Sequence, residues 1–384
     1  MAGWKDGFQR FLRADPERLH FAAHSHHYWP DVTFEAQQQA WLDAARFADD
    51  KWDHVFAEVW PEAQQHIARE LGLPSPDSIV FAPNTHEFVL RLLSCLPGVP
   101  KIVTSDAEFH SFERQTRRLE EDGLVSVTRV LSEPFATFPE RLARASQGAD
   151  LVFVSQVFFN SGAVAGELEQ LVDALPPEAM VVIDGYHGFG AVPTDLGRVG
   201  QRAFYLSGGY KYAMSGEGAC FLHVPPSALE LRPRNTGWFA AFGALDEKVA
   251  GRVPYAPGAM RFMGATFDPT GLYRFNAAMR WRQQVGLTTE KNRAHAHLLQ
   301  REFVGGLDRE GELSLEQLVV PVSNPGRGQF LTFRTTEARV LCATLKLHHV
   351  VTDARGDRLR FGFAPYHGSS DVAELHARIH RALR

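Results

Sequence analysis

Short apolar runs, each closed by a polar or glycine-rich turn, recur along the chain as far as about residue 222. Ser78–Ala82, Lys101–Ser105, Asp150–Val157 and Val181–Asp184 are such runs; another leads up to Lys211, and a last one follows the glycine turn at Ser215–Leu222. Helical patterns stand between them, from Glu87 to Leu96 and over 166–175. Strands that alternate with helices at this spacing predict right-handed βαβ units and a mainly parallel sheet. Such a sheet gathers ligands beyond the carboxyl ends of its strands. Asp184 ends one run and Lys211 follows the next, so an acid and an amine are expected at one site.

The chain has 384 residues, more than one core usually accommodates, so a second, smaller domain is expected. Helical patterns at 272–285 and 289–307 precede strand-like runs at 317–322, 329–334 and 358–363, with helices over 336–348 and 370–383. The expected division is an N-terminal segment 1–30 serving both the active site and the small domain, a large domain 31–268 and a small α+β domain 269–384. Residues 1–20 suggest a short helix, 34–73 a helix interrupted at Pro61, and 225–269 irregular chain. Trp41, Phe47, Trp52, Phe56 and Trp60 recur at roughly helical spacing and are expected in the core or a subunit interface.

A net charge of -5 and the lack of a basic stripe argue against nucleic acid and anionic membranes as partners. No window approaches the apolar length of a membrane span, and the amphipathic N-terminus lacks the apolar stretch of a secretory signal. Cys95, Cys220 and Cys342 are few, odd in number and set among apolar residues, which suits free thiols in a reducing cytoplasm.

An amine beside a carboxylate suits a cofactor that carries an aldehyde and a basic ring nitrogen. The lysine condenses with the aldehyde, and the acid favours the protonated ring, which then accepts electrons. Alone, Asp184 could be a helix cap and Lys211 a solvated charge. Asn84, with Glu87 three residues on, predicts a helix start with a reciprocal cap, and such a start binds phosphate. His20, His24, His26 and His27 fall within eight residues. No HExxH or CxxC supplies further metal ligands, and a polar, aromatic pocket lining is the expectation.

Asp184-Gly185-Tyr186-His187, then Ala191-Val192-Pro193-Thr194-Asp195-Leu196 and Gly209-Tyr210-Lys211-Tyr212, resemble class V of the fold-type I pyridoxal-phosphate enzymes. The histidine three after the aspartate and the Tyr-Lys-Tyr are most similar to kynureninase. The resemblance implies the transferase-like α/β fold, pyridoxal 5'-phosphate as cofactor, a small amino-acid substrate and a homodimer with its active site at the interface. Residue by residue, it implies Lys211 as the Schiff-base lysine, Asp184 on the ring nitrogen, and His187 near the phenolic oxygen or ring face. Phe109 would stack on the ring. Asn84 and Thr85 would hold the phosphate, aided by Tyr210 and more weakly by Ser207. Trp238 would reach the phosphate, and Thr266 would extend into the neighbouring subunit's site. Arg360 in Leu359-Arg360-Phe361-Gly362 would clamp the substrate carboxylate with its planar fork, and Ser25 would join the substrate site.

Several positions depart from the kynureninase pattern. Ala22-Ala23-His24-Ser25 replaces Asp-Gly-Asn-Ser, Phe158-Phe159 stands for Asn-Tyr, and Ala240-Ala241 replaces Gly-His. The resemblance implies hydrolytic cleavage between Cβ and Cγ of an amino acid. A class V aminotransferase or another lyase is the alternative, as is a binding protein without turnover. Desulfurase chemistry needs a mobile cysteine, and Cys342 lies in an apolar helical run.

Overall fold

The computed structural model describes residues 3–244, 251–307 and 311–383. Its strands in chain order are β1 (Leu19–His20), β2 (Ile79–Ala82), β3 (Lys101–Ser105), β4 (Ser126–Val130), β5 (Leu151–Ser155), β6 (Met180–Asp184), β7 (Ala203–Gly208), β8 (Cys220–His223), β9 (Phe330–Arg334), β10 (Val350–Val351), β11 (Asp353–Arg355) and β12 (Arg358–Gly362). The helices are α1 (Gln9–Ala14), α2 (Val32–Phe47), α3 (Lys51–His54), α4 (Trp60–Glu70), α5 (Thr85–Cys95), α6 (His110–Glu121), α7 (Phe138–Ala145), α8 (Leu168–Asp173), α9 (Thr270–Gln284), α10 (Thr289–Gly305), α11 (Ala338–Leu347) and α12 (Ser369–Ala382).

Seven strands form one sheet in the order β2-β8-β7-β6-β5-β3-β4. The pairs from β7 through β6, β5 and β3 to β4 are parallel, and β8 runs antiparallel to both its neighbours. The sheet is therefore mixed, with a parallel majority. Every residue of β2, β5, β7 and β8 is buried, which explains their unbroken apolar runs: helices cover both faces. Pairing places Ser155 opposite Asp184, and Asp184 opposite Leu206. The carboxyl ends of β5, β6 and β7 consequently stand side by side, and because β8 runs the other way, its first residue, Cys220, starts at that same edge.

A smaller antiparallel sheet, β11-β12-β9, packs its apolar residues with α10, α11 and α12 around Phe303, Phe333 and Phe361. The N-terminal segment joins this part of the molecule: β1 pairs with β10, and Ala22 bridges to Gly362. Leu272, Tyr273 and Phe275 of α9 pack in the larger core, although α9 lies beyond residue 268. Among the described residues no helix is long and apolar enough to cross a membrane.

Several local expectations are corrected. The helical stretch after residue 34 breaks at Ala48, whose φ is +49°, and not at Pro61. Pro61 lies in the first turn of α4, behind a π-turn at Val55–Val59 whose wider ring tolerates a residue without an N–H. The strand expected at 317–322 is a 3-10 turn, Leu315–Gln317, followed by one bridge between Leu318 and Phe333. Of the stretch 1–20, residues 3–20 form a 3-10 turn, the short α1 and β1 rather than a single helix, and the helix expected over 166–175 is only the six-residue α8. Of the irregular stretch 225–269, residues 245–250 lie outside the described residues.

Phe153 of β5 stacks on Phe112 of α6 with ring centroids 3.8 Å apart, and both rings are buried. Phe153→Ala should lower unfolding free energy by about 3–5 kcal/mol in urea denaturation, since the sheet and helix cannot collapse onto the void.

Candidate active site

Lys211 enters the site from the loop after β7 and is 4% exposed. Its Nζ lies 3.4 Å from His187 Nδ1, and 4.7 Å from the centre of the Tyr186 ring. Phe109 and Tyr210 each present a ring at 5.5 Å. Burial, reinforced by the Arg360 charge, pulls the ammonium down to about 7, with Asp184 opposing the shift. His187 is held well below the usual imidazole range by burial and then by Lys211, so it stands neutral. Its ring also bonds the His24 backbone.

A cavity of about 180 Å³ opens beside the amine. Asp184, Thr85, Asn84, Phe109, Tyr210 and His187 line it, with Ser155, Tyr186 and Cys220 among the remaining wall residues. Asp184 accepts the Tyr186 N–H at 2.9 Å and forms no ion pair among the described residues. Burial raises its carboxyl. Across the cavity, Asn84 Oδ1 caps α5 by accepting from Glu87 N at 3.0 Å, and the first turn of that helix faces the space. The expected reciprocal cap is absent, because the Glu87 carboxylate turns instead to Arg91. An unpaired acid, a desolvated amine, an aromatic ring and an anion-binding helix start therefore surround one small space. These groups fit a flat phosphate-bearing pyridine aldehyde.

Glu108 supports this wall from behind. Its buried carboxylate accepts from Ser105 Oγ at 2.5 Å and from Ser155 N at 3.2 Å, and also holds the Ser155 hydroxyl. Burial pushes it up to about 7. It ties the loop carrying Phe109 to the end of β5, beside Asp184. Nothing in its local sequence distinguishes it from a surface acid.

Arg360 is 3% exposed on β12. Its guanidinium donates to the Phe159 carbonyl and to the Asp353 carboxylate. His24, fully buried, stacks on Phe330 at 4.6 Å, with its Nε2 3.8 Å from the same Asp353 oxygen. The sequence marked Arg360 but not Asp353, whose role becomes visible only when β11 pairs with β12.

Besides Arg360, four expected residues lie off the cavity wall. Ser207 is buried on β7 and donates to the Gly185 carbonyl at 3.1 Å, so its hydroxyl is already committed. Ser25 turns its hydroxyl towards His26, 3.4 Å away. Trp238 is 47% exposed and donates its indole N–H to Thr266 Oγ1 at 3.0 Å. That pair faces outward. Of the clustered histidines, His20 stacks on Tyr28 and bonds Tyr366, and His27 bonds the Tyr28 carbonyl, so both are packing residues of an aromatic cluster. Among the described residues, no group of three His, Cys, Asp or Glu side chains could hold a metal.

Residues 293–379 match the family described as the kynureninase C-terminal domain. An isopenicillin N epimerase of Streptomyces clavuligerus is 27% identical over 260 residues, covering 62% of this chain. The chain spans only 61% of that relative's own length. A cystine C-S lyase, solved with its product cysteine persulfide, superposes with a TM-score of 0.79 at 18% identity over 94% of this chain and 97% of its own. A variant of that lyase with glycine covalently linked to its PLP cofactor gives 0.81 at 17% identity, covering 97% and 98%. A cysteine desulfurase of Thermococcus onnurineus NA1 gives 0.79 at 18% identity, covering 98% of each chain. These likenesses establish the fold: a large domain with a mixed central sheet and a smaller C-terminal domain.

The depressed Lys211 amine yields a direct test. Labelling of Lys211 by trinitrobenzenesulfonate, followed by peptide mapping, should reach half its maximal rate near pH 7, where a solvated lysine would need about pH 10.4. Asp184→Asn removes the charge that opposes the shift, so the midpoint should move lower still.

Proposed function

We propose that this chain is a pyridoxal-5'-phosphate-dependent enzyme acting on an amino acid, and that it performs a kynureninase-like hydrolysis between the β- and γ-carbons. The observation that carries the reading is the desolvated Lys211 amine, 3.4 Å from neutral His187, in a cavity also walled by Asp184 and the start of α5. The match of residues 293–379 to the kynureninase C-terminal domain, a span that includes Arg360, supports the choice of reaction.

Bound in this cavity, the cofactor would take the substrate amine on its aldehyde and hold, in its ring, the electron pair left at the α-carbon. The first turn of α5, with Asn84 and Thr85, would bind the phosphate; Asp184 would hold the protonated ring nitrogen, and Phe109 would lie on the ring face. Lys211, poised near neutrality, takes the Cα proton and later returns one to the substrate. His187 accepts a hydrogen bond from the Lys211 amine and so keeps its lone pair oriented. Arg360 clamps the substrate carboxylate and thereby fixes which Cα bond is broken. Water adds at the γ-carbonyl, the Cβ–Cγ bond breaks, and alanine leaves with the side-chain acid.

Desulfurase chemistry is disfavoured by the thiols. Cys220 is buried and pushed up to about 12, while Cys342 sits inside α11, accepting from Thr352. Neither is a mobile nucleophile. The outward-facing Trp238–Thr266 pair supports a homodimer in which this edge meets the second subunit's site. Sedimentation at micromolar concentration should give twice the chain mass, and a persistent monomer would contradict that arrangement.

The reconstituted chain given L-kynurenine or 3-hydroxykynurenine should release alanine and the matching anthranilate, read by fluorescence, with Lys211→Ala at least about 10³-fold slower. Keto-acid formation with a pyridoxamine product would indicate transamination instead. Sulfur release from cysteine or cystine, without anthranilate, would indicate a C–S lyase.

A further inference from the structure

The smaller sheet sets three polar residues in one row. In its register Asp353 stands opposite Arg360, and Arg360 opposite Thr332, so the three side chains share a face. Phe330, two residues before Thr332, lies on that face and carries the His24 ring. The row is short of hydrogen bonds. Both ring nitrogens of His24, Nε of Arg360 and Oγ1 of Thr332 are buried without a partner. Unpartnered buried polar atoms cost stability, and their concentration beside Arg360 is accounted for by a ligand that pairs with them. The His24 seat is specific: a Cβ on Gly362 would come within 2.4 Å of His24 Nδ1.

The contacts of Asp353 show what such a ligand must displace. One carboxylate oxygen holds Arg360 and lies 3.8 Å from His24 Nε2, while the other is paired with Arg355 at 3.2 Å. We propose that Asp353 is an exchangeable counter-ion: it holds Arg360 while the site is free of substrate and turns to His24 when the carboxylate of an amino-acid substrate takes the guanidinium. The inference rests on the reading that Arg360 receives that carboxylate. Neutral His24 donates its Nε2–H to Asp353, and Arg355 keeps the second oxygen compensated, so no carboxylate is stranded. Amines without a carboxylate leave Asp353 in place. Arg360 therefore selects α-amino acids over simple amines, while Asp353 keeps the guanidinium compensated when no carboxylate is bound.

The test measures dissociation constants of L-alanine and ethylamine for the cofactor-loaded enzyme, by change in cofactor absorption and by shift in melting temperature. Asp353→Asn, which removes the competing charge, should tighten L-alanine about tenfold and leave ethylamine unchanged. His24→Phe, which keeps the stack on Phe330, should weaken L-alanine about tenfold alone and have no effect in the Asp353→Asn background. Weaker L-alanine binding in Asp353→Asn, or an equal His24→Phe effect in both backgrounds, would make Asp353 a fixed support and overturn the exchange. Should Asp353→Asn not fold, an unchanged L-alanine constant in His24→Phe overturns it alone. Equal binding of both probes to the wild-type enzyme, unaltered by Arg360→Gln, would instead remove the carboxylate reading of Arg360, and the exchange with it.

Discussion

The withdrawal of Lys211 from water is the constraint on which the rest of the site depends. A lysine in solvent is protonated far above neutrality and is a poor nucleophile; at 4% exposure among Tyr186, Phe109 and Tyr210, its amine is released near pH 7. The fold bears a cost for this. A folded-state pKa below the unfolded value destabilises the protein fully below about pH 7, and the penalty fades as pH rises towards about 10.4. The large sheet offsets it with wholly buried strands on both sides of the loop that carries the lysine. Stability spent at this position is the expected signature of a functional residue.

Register then decides what the amine meets. Parallel pairing through β5, β6 and β7 sets Ser155 beside Asp184, and a one-residue slip would turn Asp184 to the opposite face of the sheet. Gly185 is required immediately afterwards, because a Cβ there would lie 1.9 Å from the Tyr205 ring. The antiparallel β8 returns Cys220 to the same edge, where its thiol lies 3.4 Å from the Tyr186 hydroxyl. The acid, the amine and the helix start of α5 are thus placed by backbone pairing, and side-chain contacts refine their positions.

Much of this was legible in the sequence because it is carried by local pattern. The apolar runs ending in Asp184 and leading to Lys211 are buried strands, and their alternation with helices specifies a parallel majority. Asn84 is recognisable as a cap since the capping oxygen lies three residues from its donor, the Glu87 N–H. What escaped is non-local. Ser126–Val130 alternates in burial at the sheet edge and lacks an apolar run, so β4 gave no signal. Pro61 resembled a helix break, yet the π-turn before it absorbs the missing N–H. Ser207 stands at a strand end, as a cofactor ligand would, but the Gly185 carbonyl, just past the neighbouring strand, claims its hydroxyl. Glu108 and Asp353 act through partners dozens of residues away or across a hairpin, and no spacing rule announces them. The histidines at 20–27 divide by environment: His20 and His27 each bond within an aromatic cluster, whereas both ring nitrogens of His24 are left without a hydrogen bond beside Arg360.

The site is asymmetric about Lys211. On one side stand the acid and the helix start that suit a cofactor; on the other, Arg360, Asp353 and His24 form a closed polar group that suits a carboxylate. Charges of both groups act on the amine. Borohydride treatment of the chain loaded with pyridoxal 5'-phosphate, followed by peptide mass mapping, tests this arrangement most directly. The account predicts a reduced pyridoxyl adduct on Lys211 at one per chain, and an adduct on any other lysine, or none on Lys211, would contradict it.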